Sequence, residues 1–174
     1  MRYFNGFSLD NEEKLFKDYI IDSEYSVVGF SYGSQKAFEY VYNTKDRVDR
    51  LILLSPAFFQ NQKRSFVKAQ LLYFQKDPKS YINNFIKNVI YPDTEIESIS
   101  KYIKIGTKEE LKELLTYTWS VDKLKELIDR NITIEVFIGE KDKIVNSKES
   151  LEFFSKFTTT YLIKSANHLL LTVK

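Results

Sequence analysis

The chain has 174 residues, 43% of them hydrophobic, with no cysteine, one histidine and a formal net charge of +2. That length favours a single domain spanning 1–174 with a real core, and the lack of cysteine excludes disulfides and suits a reducing compartment. The start, Met1-Arg2-Tyr3-Phe4-Asn5-Gly6, carries no long apolar segment, and no run approaches a membrane span, so the expectation is a cytoplasmic protein without a membrane partner. No basic-aromatic RNA motif, metal-ligand cluster or Gly-rich phosphate loop stands out, so no nucleic acid, metal or cofactor is expected.

In chain order, Arg2 to Asn5 reads as a short strand. Roughly Asn11 to Ile21 reads as a helix with Leu15, Phe16, Tyr19 and Ile20 on its apolar side. The strand-like run Ser26-Val27-Val28 feeds directly into Gly29-Phe30-Ser31-Tyr32-Gly33. Ala37, Phe38 and Val41 then follow at helical spacing. A Gly-x-Ser-x-Gly turn between strand and helix is a nucleophile elbow, which lifts the serine hydroxyl out of the strand. Its glycines let neighbouring backbone approach without a Cβ clash. An ordinary turn with Ser31 capping the next helix is the plainer reading of the same residues.

Arg50-Leu51-Ile52-Leu53-Leu54-Ser55 is a further strand. From Pro56 to Trp119 there is no strand pattern but several helical ones, which predicts a helical lid at about 57–119. Asp77-Pro78 opens one helix, with proline at its first position, and Thr107 and Glu110 are spaced as a capping box for another. Between Gln60 and Ile90 this segment carries Lys63, Arg64, Lys68, Lys76, Lys79 and Lys87 against one acid, Asp77. Phe58, Phe59, Phe66, Leu71, Leu72, Tyr73 and Phe74 are interleaved. The pattern fits a pair of amphipathic helices with solvated lysines. It equally fits an apolar acyl tunnel under a basic rim that attracts an acidic partner.

Asp122 and Asp129 lie on a polar helix whose stripe is Val121, Leu124, Leu127 and Ile128, and read as solvated. The β-branched run Ile132 to Ile138 is a buried strand leading into Gly139-Glu140-Lys141-Asp142. Asp142 thus sits just past the carboxyl end of a strand, where open α/β sheets gather reactive groups; it also fits a turn aspartate bonding its own backbone. Asn146 and Glu149 are spaced as a capping box for a helix carrying Leu151, Phe154 and Phe157. Thr159 to Ile163 is the last strand, and His168 follows in the loop beyond it. A serine needs a base to become a nucleophile, and His168 is the one histidine available. Ser31, Asp142 and His168 therefore form the candidate catalytic triad, in the chain order nucleophile, acid, base. The whole reads as an α/β fold with a mostly parallel sheet of about five strands.

These features resemble the α/β-hydrolases, in reduced form because Ser31 arrives after one short strand and one helix. Asn5-Gly6-Phe7 would then be the loop that supplies an oxyanion-hole amide, with the backbone N–H groups of Phe7 and Tyr32 as donors; a plain Asn-Gly turn is the alternative. More closely, the chain resembles the short pimeloyl-acyl-carrier-protein methyl ester esterases of biotin synthesis, the compact BioV type. The resemblance is carried by Phe4-Asn5-Gly6-Phe7, Asn11-Glu12, Leu15-Phe16, Val28-Gly29-Phe30-Ser31-Tyr32-Gly33, Lys36-Ala37-Phe38-Glu39-Tyr40, Leu53-Leu54-Ser55-Pro56 and Gly139-Glu140-Lys141-Asp142. It covers most of the chain and makes the early position of Ser31 an expected one. It implies cleavage of the methyl ester of pimeloyl-acyl-carrier protein, releasing methanol, with Ser31 as nucleophile, His168 as general base and Asp142 as its orienting partner. It also implies an acidic acyl-carrier protein as partner, for which Lys63, Arg64 and Lys68 are the candidate dock. The competing expectations are a general carboxylesterase or thioesterase for small acyl compounds, and a hydrolase-like binding protein without turnover.

Overall fold

The computed structural model describes residues 1–93, 97 and 99–172. Five strands make one sheet in the order β1 (Arg2–Phe4), β2 (Ser26–Phe30), β3 (Arg50–Leu54), β4 (Thr133–Gly139) and β5 (Thr159–Ile163). Every neighbouring pair is parallel, with Val28 opposite Ile52 and Leu53 opposite Val136 in the centre. The sheet is thus wholly parallel among the described residues, where the sequence reading allowed for a mixed one.

Parallel strands covered on both faces read as continuous apolar runs, and β3 does so with Leu51, Ile52, Leu53 and Leu54 all fully buried. Alternate side chains go to opposite faces. Val27, Leu51, Leu53, Val136 and Ile138 point into a cluster with Phe38, Leu124, Leu127 and Phe154. These come from α1 (Tyr32–Asn43), α5 (Val121–Asp129) and α6 (Ser147–Phe154). Val28, Phe30, Ile52 and Leu54 point into a second cluster with Phe7, Phe16, Phe74, Ile86 and Leu114. That second face is covered by the segment between β3 and α5, which folds into α2 (Arg64–Lys76), α3 (Pro78–Ile90) and α4 (Lys108–Thr116). The expected helical insertion is therefore present.

Local signals act where they were read. The Asp77 side chain accepts from Ser80 N and Pro78 occupies the first turn of α3. Thr107 and Glu110 form a reciprocal capping box at α4. At α6 the Asn146 side chain caps Lys148 N and Glu149 N, but Glu149 takes the Asn146 side-chain amide rather than its backbone N–H, so the box is not reciprocal. α6 stops at Phe154, leaving Phe157 just beyond it.

The stretch from Asn11 to Ile21 departs from the helix expected there. It forms a short 3-10 helix, Glu12–Phe16, that starts from Asn11 in the left-handed region. The apolar residues are used as anticipated, with Phe16 buried and Leu15, Tyr19 and Ile20 packed on the same cluster. The α-helix is lost because Glu12 turns inward to bond the preceding loop, which commits the first turn to a tertiary contact.

Candidate active site

Ser31 stands between β2 and α1 with φ 53° and ψ −113°, a backbone conformation that L residues rarely adopt. The turn is held from several sides. Ser31 N donates to Leu54 O at 2.8 Å, and Ser31 O accepts from Ala57 N and Ser34 N, both at 3.1 Å. Gly33 permits the close crossing that the turn needs, since a Cβ there would lie 1.9 Å from Phe4 O. The Ser31 side chain makes no helix-cap hydrogen bond, so the plainer reading of this serine does not apply.

Its hydroxyl instead meets the imidazole. Ser31 Oγ is 3.0 Å from His168 Nε2, and His168 Nδ1 is 2.6 Å from Asp142 Oδ2. Asp142 serves a turn with one oxygen and the imidazole with the other: Oδ1 accepts Ile144 N at 2.7 Å and Val145 N at 3.1 Å, leaving Oδ2 to His168. The turn thus fixes the carboxylate, and the carboxylate fixes the ring. The His168 and Asp142 side chains are fully buried and Ser31 is 1% exposed, so the three are shielded from bulk solvent. The Phe30 ring, centred 5.0 Å from the imidazole, forms part of its wall.

Residues not singled out from the sequence hold the histidine loop. Asn167 Oδ1 accepts Leu169 N and Leu171 N, and its Nδ2 donates to Ile90 O at the end of α3. Gly139 lets that loop approach β4, because a Cβ there would lie 2.1 Å from Asn167 O. Tyr19 OH donates to Leu170 O at 2.9 Å. The position of Asn167 beside the lone histidine was the available signal, but its partners lie too far along the chain to be inferred.

The candidate oxyanion loop lies against the elbow. Tyr32, first residue of α1, has an amide outside the helical ladder. Its hydroxyl donates to Glu113 of α4, and burial, then that bond, raises the phenol above its usual pKa. Phe7 is buried, and its ring meets Phe74 of α2 at 6.3 Å and Phe85 of α3 at 5.5 Å between centroids. Gln35 Nε2 bonds Ala57 O and Leu114 O, a second tie between α1 and α4.

A cavity of about 560 Å³ opens between α2, α3, α4 and the loop after β4. Phe59, Phe66, Phe85 and Leu114 supply apolar wall, while Gln70 and Asn84 bring side-chain amides. Ser31 and His168 do not line it; it adjoins them through Ile144, whose amide bonds Asp142. Lys63, Arg64 and Lys68 stand exposed at the start of α2, and Asp122 and Asp129 are exposed on α5. Among the described residues no group of three or more His, Cys, Asp or Glu could hold a metal ion, and no helix is long and apolar enough to cross a membrane.

No family model matches the chain, and no curated protein matches it. Solved structures do resemble it. An esterase from Exiguobacterium antarcticum superposes with a TM-score of 0.67 at 16% identity, over 82% of this chain and 59% of that one. BioG from Haemophilus influenzae gives 0.64 at 12% identity, over 97% of this chain and 87% of its own. MenH from S. aureus gives 0.59 at 14%, over 95% and 85%. At these identities the shared property is the fold. The chain spans little more than half the length of the Exiguobacterium esterase, while it matches BioG over most of both chains. Together with the five-stranded parallel sheet and its helical insertion, these likenesses establish a reduced α/β-hydrolase fold.

Proposed function

We propose that the protein is a serine hydrolase acting on carboxylic esters, with Ser31, His168 and Asp142 as its catalytic triad. The reading rests on one observation above the others: the continuous hydrogen-bonded chain from Ser31 Oγ through His168 to a fully buried Asp142. In this mechanism His168 Nε2 takes the serine proton as Oγ attacks the ester carbonyl. Asp142 Oδ2 keeps Nδ1 protonated and stabilises the imidazolium that forms. The imidazolium then gives its proton to the leaving alcohol. Water, activated by the same nitrogen, releases the acid from the acyl-serine. The Phe7 and Tyr32 amides are the proposed oxyanion donors, each worth about 3–4 kcal/mol to the transition state.

The proposed substrate is the methyl ester of pimeloyl-acyl-carrier protein, cleaved to methanol and the free carboxylate. The sequence resemblance supports it, as do the basic start of α2 and the part-apolar cavity beside Asp142. A general carboxylesterase is the second reading, favoured by structural neighbours such as the Exiguobacterium esterase and carboxylesterase CesB from Bacillus subtilis. It predicts the same chemistry without dependence on a carrier protein.

The test is Ser31→Ala. The variant should lose hydrolysis of a short p-nitrophenyl ester and labelling by a fluorophosphonate probe. Equal labelling of variant and wild type overturns the assignment, and a wild type that binds esters but turns none over would make the fold a binding scaffold.

A further inference from the structure

The first turn after the Asn5-Gly6-Phe7 loop contains a carboxylate that the proposed chemistry does not use. Glu12 is fully buried, yet no cation among the described residues pairs with it. Its Oε1 accepts the Gly6 amide at 2.7 Å and the Tyr3 hydroxyl at 3.3 Å, while its Oε2 has no hydrogen-bond partner among the described residues. Burial raises its pKa, opposed in part by the Gly6 amide, and the same burial, with Glu12 beside it, pushes up the Tyr3 phenol. An acid so placed is costly, and an apolar residue of similar volume would fill the space at less cost unless the acceptor itself is needed. What it accepts from is the peptide next to the proposed oxyanion donor.

The peptide geometry shows what that acceptor accomplishes. Gly6 O accepts Leu9 N at 3.3 Å, so the carbonyl of the Gly6–Phe7 peptide is turned into the loop. In a trans peptide the N–H points opposite to the C=O, so the Phe7 amide is turned away from the loop interior. No acceptor engages it among the described residues. Glycine at position 6 leaves two soft dihedrals between these planes. The bond from Glu12 fixes the plane before Gly6, and the Leu9 bond fixes the plane after it. The loop is further tied by Asn5 Nδ2 to Asp10 Oδ1 at 2.8 Å. It abuts the elbow: a Cβ on Gly33 would lie 2.6 Å from Asn5 O, and one on Gly6 the same distance from the Phe30 ring.

We propose that Glu12 is a positioning residue for the ester-cleaving reaction: its Oε1 holds the Gly6 amide so that the Phe7 N–H stays free to face the oxyanion. This rests on the serine-hydrolase reading above. A donor set in advance of the reaction stabilises the transition state more than the ground state. Glu12 therefore acts on kcat, through Phe7, without touching substrate.

The experiment compares Glu12→Ala, Glu12→Asp and Glu12→Gln, with kcat expressed per site counted by end-point fluorophosphonate titration. Glu12→Gln keeps an acceptor for Gly6 and should hold kcat within about threefold of wild type. Loss of one oxyanion donor costs roughly 10²–10³ in kcat, and a donor left in place but loosened should cost less, about 10–100-fold for Glu12→Ala. KM should change little. Affinity for a trifluoromethyl ketone, which mimics the tetrahedral state, should fall by the same factor as kcat/KM. If Glu12→Ala does not fold, Glu12→Asp draws the acceptor back by one methylene and must show the same kcat loss at unchanged KM. Wild-type kcat in a folded Glu12→Ala or Glu12→Asp overturns the inference, as does a loss that falls on KM alone. If the wild type cleaves no ester, the hydrolase reading has failed. Gly6 amide exchange then decides the loop role: protection kept by Glu12→Gln and lost in Glu12→Asp supports it, and equal protection in both overturns it.

Discussion

Asp142 divides its two oxygens between a turn and an imidazole, and the division has a kinetic consequence. Asp142→Asn can keep Oδ1 on Ile144 N and Val145 N, but it then presents an NH₂ group to His168 Nδ1. Two donors cannot face one another, so the imidazole must take the other tautomer, whose Nε2 carries the proton and cannot accept one from Ser31. The substitution should lower kcat by roughly 10⁴-fold at little cost in stability. His168→Ala should cost at least as much, and the double variant scarcely more than His168→Ala alone, because triad members act as a unit. Stopped-assay kinetics on the three purified variants check this. Additive losses in the double variant, or a near-normal His168→Ala, would leave the proposed mechanism without support.

At the level of elements, the strands and caps were legible in the sequence because they rest on local chemistry. The run Leu51 to Leu54 can be little else than a covered parallel strand, and Asp77-Pro78 and Thr107-Glu110 carry their own capping partners within one turn. Ser31, Asp142 and His168 were legible as candidates because each follows a strand whose pattern is local. The region around Glu12 was not. Its tertiary bonds to Tyr3 and Gly6 outweigh an amphipathic pattern that taken alone predicts an α-helix. The ties of α4 to the elbow, Glu113 to Tyr32 and Leu114 O to Gln35, join residues about eighty positions apart and leave no periodic trace. They tie α4 directly to α1. Removing its cap tests how far that fixation depends on the helix end. Thr107→Ala should cost about 1 kcal/mol and lower Tm by ~2–4 °C for a chain of this size. Because Thr107 lies at the opposite end of α4 from Glu113 and Leu114, kcat measured well below Tm should stay at the wild-type value. A drop in kcat at full folding, read by circular dichroism and ester hydrolysis together, would show that fraying of the first turn reaches the elbow.

Across the whole molecule the charge is nearly balanced at +2, but its distribution is not even. The start of α2 concentrates Lys63, Arg64 and Lys68 on one exposed surface, beside the cavity that adjoins Asp142. Exposed charges of this kind raise the rate at which an oppositely charged partner arrives and leave the chemical step alone. Reversing all three to Glu is a clean test because it does not threaten the helix. Lys63 caps α2 without any side-chain bond, and Arg64 is its first residue. Acidic residues at a helix N-terminus complement the helix dipole, so α2 should be as stable or more so. The triple variant should raise the apparent KM for a carrier-protein-bound methyl ester at low salt. The difference from wild type should shrink as salt rises, since exposed charges are screened beyond roughly 8–10 Å at physiological ionic strength. Hydrolysis of a small uncharged p-nitrophenyl ester should be unchanged, which separates docking from catalysis. Full carrier-protein activity in the triple variant would move the dock to another surface. Wild-type rates on small esters with no measurable cleavage of the carrier-bound ester by either protein would favour the general carboxylesterase.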